Sequence, residues 1–294
     1  MNGGKDVKKI LFTGGTGFVG KNIIPILKEK YIVVSPSRKE LDLKDTEAVK
    51  EFVQTGHFDI VLHAANPNPV KSSDFDKTGT MFEDSMRVFM NLYKVSNMYK
   101  KMIYLGSGAE YDKTQDIIEI KEDEVFRSLP KDIYGCSKYI MNELALYSKN
   151  IYNLRLFACY GPYDHESKFI THCIRCCLNN EPITIRQNCY FDYIHVYDLE
   201  KVIEFMIEND MAYHDYNIAS GRKYSLEEIA LKVKKKMNSE QPVRILSKEW
   251  NKEYTADISR LEKESHLSEE FIDLDQGIRM QIEYEKEYWD EKKS

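Results

Sequence analysis

Thr13-Gly14-Gly15-Thr16-Gly17-Phe18-Val19-Gly20 follows directly on the apolar run Ile10-Leu11-Phe12 and leads into a helical stretch from Lys21 to Glu29. A glycine at the first position of Gly14-x-x-Gly17-x-x-Gly20 permits a tight turn. One at the second lets the backbone approach a pyrophosphate, and one at the third lets the helix pack closely. The helix N-terminus then offers free N–H groups to phosphate. Spacing alone is weak evidence; its place between strand and helix strengthens it. Gly14, Thr16, Gly17, Phe18, Val19 and Gly20 are therefore candidate cofactor-binding residues.

Outward from this loop, strand and helix signals alternate. Tyr31 to Val34, Asp59 to His63, Met102 to Leu105 and Asn153 to Phe157 read as strands. Asp45 to Gln54, Thr80 to Tyr99 and Ile133 to Tyr147 carry helical spacing. Strands separated by such helices imply right-handed crossovers and an α/β fold with a Rossmann-type, doubly wound parallel sheet. The second half is less regular. Lys168 to Leu178 and Leu199 to Asn209 read as helices, and Ser225-Leu226-Glu227-Glu228 as a capping box. The expected division is a dinucleotide-binding domain over 1–160, to which 190–210 returns. A smaller substrate-binding lobe takes 161–189 and 211–294.

The end of the second strand bears on the cofactor. An acidic residue there would hold the ribose 2′-hydroxyl of NAD. Val34-Ser35-Pro36-Ser37-Arg38-Lys39 instead offers two hydroxyls and two cations. Ser35, Ser37 and Arg38 suit a 2′-phosphate, which favours NADP(H), with NAD(H) the alternative. Asp42 and Leu43 are candidates for the adenine edge.

Tyr134-Gly135-Cys136-Ser137-Lys138 sets a phenol and an ammonium at i and i+4, on one helix face. A nearby ammonium lowers a phenol's pKa. A phenol so tuned can give a proton to a developing alkoxide or take one from an alcohol. The spacing is common on helices and gains weight from the glycine loop and from Ser107.

With these residues in place, the chain resembles the extended short-chain dehydrogenase/reductases, the epimerase, dehydratase and reductase group acting on nucleotide sugars. The likeness runs through Thr13–Gly20, His63-Ala64-Ala65, Leu105-Gly106-Ser107, Tyr134–Lys138, Leu154–Phe157 with Tyr160-Gly161-Pro162, Asp192–Leu199 and Tyr216–Gly221. The resemblance implies that Tyr134 is the catalytic acid/base. Lys138 would hold the nicotinamide ribose and depress the Tyr134 pKa, and Ser107 would hydrogen-bond the reacting oxygen. It implies that Ala64 and Ala65 line the cofactor channel. It sets Asn66, Gly108, Ala109, Ala158, Lys168, Arg186, Phe191 and Arg222 around the substrate.

Departures from the group narrow the reaction. Dehydratases carry an Asp-Glu pair after the catalytic hydroxyl, where Gly108 and Ala109 stand here. Epimerase-reductases use a Cys and a His where Ala109 and Lys168 stand. An arginine that usually grips the substrate diphosphate is Phe191, leaving Lys168, Arg186 or Arg222 to replace it. The resulting expectation is an NADPH-dependent oxidoreductase that reduces the 4-keto group of a nucleotide-linked sugar. The alternatives are a nucleotide-sugar 4-epimerase using tightly bound NAD and a non-catalytic, NADP-binding regulatory protein.

Composition sets the outer bounds. The chain has 294 residues, a formal net charge of −6 and 42% hydrophobic residues. Acidity argues against nucleic acid or an anionic membrane as partner. No apolar run approaches ~20 residues, and the N-terminus has no signal-peptide core, so a cytoplasmic protein is expected. Cys173-x-x-Cys176-Cys177 has no second pair at zinc spacing, so the six cysteines read as reduced thiols and no metal site is expected. By resemblance, the helices at Thr80–Tyr99 and Ile133–Tyr147 would form a four-helix bundle in a homodimer. Met81, Phe82, Met86, Phe89, Met90 and Tyr93 are its interface candidates.

Overall fold

The computed structural model describes residues 7–65 and 79–293. The glycine loop joins β1 (Lys9–Thr13) to α1 (Phe18–Leu27). The chain continues through β2 (Ile32–Val34), α2 (Thr46–Gly56), β3 (Ile60–His63), α3 (Met81–Lys94), β4 (Lys101–Leu105), β5 (Ile117–Ile120), α4 (Ile133–Leu146) and β6 (Ile151–Leu156). Then come β7 (Ala158–Tyr160), α5 (Phe169–Leu178), β8 (Ile183–Gln187), β9 (Tyr190–His195), α6 (Val196–Glu208) and β10 (Asp215–Ile218). The last elements are β11 (Lys223–Ser225), α7 (Leu226–Met237), β12 (Val243–Ser247), β13 (Tyr254–Ala256), α8 (Ser259–Ser265) and α9 (Leu274–Lys293).

Six strands form one sheet in the order β10-β6-β4-β3-β1-β2, every pair parallel. Helices cover both faces, which is why its central strands are continuous apolar runs. Ile10 and Phe12 pack toward α1 and α6, with Ile23, Leu27, Leu199, Val202 and Met206. Leu11, one residue between them, faces the other way, with Val49, Val53, Phe89, Leu92 and Met141 of α2, α3 and α4. The chain leaves β1 for β2 on one side and returns to β3 on the other. That reversal opens a crevice beyond Thr13 and His63, where open α/β sheets bind ligands.

A second sheet has the order β11-β9-β13-β5, with β7 on β9. Behind it, α5, α7 and α9 share a core with β8 through Ile170, Ile174, Ile185, Ile229, Val233, Leu274 and Ile278. Two strands cross the expected division. Asp215–Ile218 is the outer strand of the large sheet, and Ile117–Ile120 pairs with β13 of the lobe.

Local differences have local causes. The helix expected over Thr80–Tyr99 ends at Lys94, and Tyr99 turns inward to donate its hydroxyl to the Leu92 carbonyl at 2.8 Å. α6 begins at Val196 rather than Leu199, because His195 Nδ1 accepts the Tyr197 N–H at 3.3 Å and caps the helix. Phe89 and Met81, taken as interface candidates, are buried. Phe89 packs edge-on to Tyr104, 5.1 Å between ring centroids, so it belongs to the core. Phe82, Met86, Met90 and Tyr93 remain partly exposed. Ser225 forms the expected capping box with Glu228. All six cysteines are free thiols.

Candidate active site

A cleft of about 590 Å³ opens at the reversal point. The glycine loop, the end of β2 and the end of β3 line it. Gly14 adopts φ +83°, and a Cβ there would lie 2.7 Å from the Ala65 nitrogen. Only glycine serves both the turn and the close approach to β3. Thr13 Oγ1 and His63 Nδ1 meet at 2.8 Å across the paired strands, tying the two walls together. α1 has no acidic residue in its first turn, so nothing on that helix end opposes an anion.

Of the residues expected to bind cofactor, Gly14, Thr16, Gly17, Ser35, Ser37, Arg38, Asp42, Leu43, Ala64 and Ala65 line the cleft. Phe18, Val19 and Gly20 do not. Phe18 and Val19 pack their side chains on the α1–α6 core. Gly20 faces inward, and a Cβ there would overlap the Gly15 backbone at 2.5–2.7 Å. Their spacing was legible, but helix rotation carries their side chains away from the cleft. The cleft also exposes Glu40 and Lys44, which the sequence reading passed over. Glu40 accepts the Ser37 N–H at 2.7 Å, which holds its carboxyl below the usual range.

Ser107, Tyr134 and Lys138 come together at the carboxyl end of β4. Asp132 caps α4 by accepting the Gly135 N–H at 2.8 Å. That fixes the first turn, on which Tyr134 and Lys138 stand one above the other. Lys138 is buried and donates to the Leu105 carbonyl at 2.6 Å; its Nζ lies 6.0 Å from the Tyr134 ring centroid. Ser107 Oγ accepts the Ala109 N–H at 3.1 Å and stands close enough to the Tyr134 hydroxyl to influence it.

The electrostatics correct one expectation. Burial pushes the Tyr134 phenol up to about 12; the Ser107 hydroxyl pulls it back, and Glu110 and Asp132 raise it. The expected depression by Lys138 is not what sets this phenol. Burial outweighs it, and the lowering influence is the Ser107 hydroxyl. Lys138 itself is brought down to about 8 by burial, against the pull of Glu110.

Beneath Ser107 lies a buried charged layer. Arg155 of β6 is fully buried and donates from Nε to Glu110 at 2.7 Å and from Nη2 to Asp215 at 2.9 Å. Glu110 in turn accepts the Ser107 N–H at 3.0 Å. Glu110 is thus a support of the loop.

The substrate candidates separate into two groups. Gly108 and Ala109 follow Ser107 directly, and Ala109 is buried. Phe191 of β9 packs on Tyr193 at 5.7 Å and on Tyr254 at 5.5 Å, and Ala158 pairs with Tyr193 in the adjoining β7. Lys168 is exposed at the N-cap of α5. Arg186 is exposed on β8. Arg222 is exposed on the turn before β11, where its charge acts on Asp198. Asn66 lies outside the described residues. The sequence reading missed Tyr254, whose hydroxyl reaches Ser107 from the lobe. Nothing local marks it, because only the β13 pairing brings it there.

Residues 10–219 match the NAD dependent epimerase/dehydratase family, and the chain belongs to that family. GDP-L-colitose synthase of Yersinia pseudotuberculosis is 32% identical over 111 residues; the match spans 37% of this chain and 36% of that protein. ADP-L-glycero-D-manno-heptose-6-epimerase of Brachyspira hyodysenteriae is 25% identical over 311 residues, covering 93% of this chain and 96% of that protein. A GDP-mannoheptose C4 reductase of Campylobacter jejuni, solved with NADP bound, superposes with a TM-score of 0.81. It is 21% identical, with 97% of this chain and 100% of that chain covered, a likeness of fold. Among the described residues no helix is long and apolar enough to cross a membrane.

Proposed function

We propose that the protein is an NADP(H)-dependent reductase of the 4-keto group of a nucleotide-linked sugar. The observation that carries this reading is the Ser107–Tyr134–Lys138 set beside the glycine cleft, with only Gly108 and Ala109 after the serine. The cofactor supplies hydride to the sugar carbon. Ser107 binds the reacting oxygen, and Tyr134, protonated at neutral pH, gives it a proton as charge develops. Lys138 anchors the nicotinamide ribose. Dehydration has no acid pair after Ser107 to perform it. Gly14, Thr16 and Gly17 would hold the pyrophosphate, and Ala64 and Ala65 would line the cofactor channel. Lys168, Arg186 and Arg222 are the candidates for the substrate diphosphate, and what favours Lys168 is its place at the head of a helix with no acidic residue in its first turn.

A thermal-shift panel of nucleoside diphosphates with NADPH present tests the substrate half. A base-specific rise in Tm is expected, and a flat panel removes the nucleotide from the substrate. The expected homodimer would use the partly exposed Phe82, Met86, Met90 and Tyr93 of α3 with α4.

Arg38 beside Ser35 and Ser37 favours a 2′-phosphate. Arg38→Ala is expected to weaken NADPH about tenfold, the loss of one charge-assisted contact of about 1.5 kcal/mol, and NADH less than twofold. Equal losses in the two dissociation constants remove the NADP preference. Glu40 at the same end of the cleft supports a second reading, a 4-epimerase holding NAD, because a carboxylate there suits a ribose diol.

Lys138 is charged below about pH 8 and neutral above it. Its hold on the ribose is therefore present at lower pH and lost as pH rises through 8. The kcat/KM profile for NADPH should fall above that point, and the limb should vanish in Lys138→Met. A wild-type profile flat to pH 10 contradicts the assignment.

A further inference from the structure

Tyr254 is a residue of the lobe, yet its hydroxyl stands over Gly108, in the space that a side chain on that glycine would fill. Its ring is held by Phe157, 4.9 Å between centroids, and by Phe191 at 5.5 Å. Its strand is pinned from both sides, to Phe191 in β9 and to Ile117 in β5. A ring so fixed places its oxygen with little freedom. That oxygen lies against Gly108, the residue after Ser107, where it and Ser107 and Tyr134 influence one another.

Ser107 therefore has three polar neighbours: the Ala109 N–H at 3.1 Å, the Tyr134 hydroxyl and the Tyr254 hydroxyl. A serine hydroxyl has two acceptor positions and one hydrogen. The Ala109 N–H occupies one acceptor position. Burial holds Tyr254 above the ordinary tyrosine range, so it stays a phenol with a hydrogen to give.

We propose that Tyr254 is a positioning residue that donates into Ser107 Oγ, fills its second acceptor position, and so directs the serine's only hydrogen at the oxygen beside Tyr134. Without that donation Ser107 can turn and accept from Tyr134, the wrong polarity for stabilising an alkoxide. The inference rests on the keto-reductase reading for its kinetic consequence, but not for the hydrogen-bond polarity itself. It also makes the centre dependent on the docked lobe, since one of its three hydroxyls comes from β13.

The test uses the full chain with tyrosine carrying ¹³C at the phenol carbon. The Tyr134 resonance is assigned by its loss in Tyr134→Phe. In Tyr254→Phe the Tyr134 signal should move toward the phenolate position, because Ser107 now accepts from Tyr134. In a Ser107→Ala background the same change should no longer move it, the signature of coupling through the serine. A signal that stays put in Tyr254→Phe, or that moves equally in both backgrounds, overturns the proposal. Neither measurement needs a substrate, so a failure of the keto-reductase reading leaves this test intact. With a keto sugar that the enzyme reduces in hand, Tyr254→Phe should lower kcat about tenfold, the loss of one oriented hydrogen bond, with KM for sugar and NADPH unchanged within about twofold. An unchanged kcat in an enzyme that does reduce the sugar also overturns it.

Discussion

Tyr134→Phe is expected to cut turnover by about 10²- to 10⁴-fold, the usual worth of a placed general acid, while fold and NADPH affinity survive. The phenyl ring keeps its place on the first turn of α4, where Asp132 caps the helix independently of the hydroxyl. Lys138 keeps its bond to the Leu105 carbonyl, so the ribose contact proposed for it should be unaffected. What is lost is the proton that burial keeps on the phenol up to about pH 12. A phenol held protonated suits the donating direction of the reaction, from keto sugar to alcohol. Steady-state NADPH oxidation and a cofactor titration check both halves. Wild-type turnover would refute the acid; lost cofactor binding would refute the separation of roles.

Arg155→Ala is expected to cost about 3–5 kcal/mol of folding stability, the cost of leaving buried charge unpaired. Glu110 would lose its guanidinium partner in a site that excludes water, while Asp215 would keep only Arg260 of its two. Glu110 already has its carboxyl raised by burial, with Arg155 the first influence opposing it. Some of the cost would return in Arg155→Met combined with Glu110→Gln and Asp215→Asn, which removes the charges together. Urea unfolding followed by circular dichroism measures both variants. A loss under about 1 kcal/mol in Arg155→Ala would mean that the buried layer does not hold the sheet. Because Glu110 also carries the Ser107 N–H, the alanine variant should lose activity before it loses its fold.

The alternation of apolar runs and helical spacing was sufficient for the sheet, since strands buried on both faces announce themselves. Gly14 and the Tyr134–Lys138 spacing were legible for the same reason: each is a local pattern imposed by backbone geometry. The side-chain directions of Phe18 and Val19 were not, because they depend on where α6 packs. Phe89 looked like an interface residue on its helix alone and became core once β4 supplied Tyr104. Tyr254 lay beyond reach, since its approach to Ser107 depends on two long-range strand pairings. The Tyr134 phenol was misjudged for a related reason. An i, i+4 lysine is visible in the sequence, whereas the burial that outweighs it belongs to the assembled structure.

The most direct measurement follows the label from NADPH deuterated at C4 into a panel of nucleotide-linked 4-keto sugars, read by mass spectrometry with net NADPH oxidation. Reduction predicts one deuterium on the sugar carbon for each NADPH consumed, in the wild type and not in Tyr134→Phe. Epimerised sugar with no net NADPH consumption, or no label in any sugar, would contradict the account.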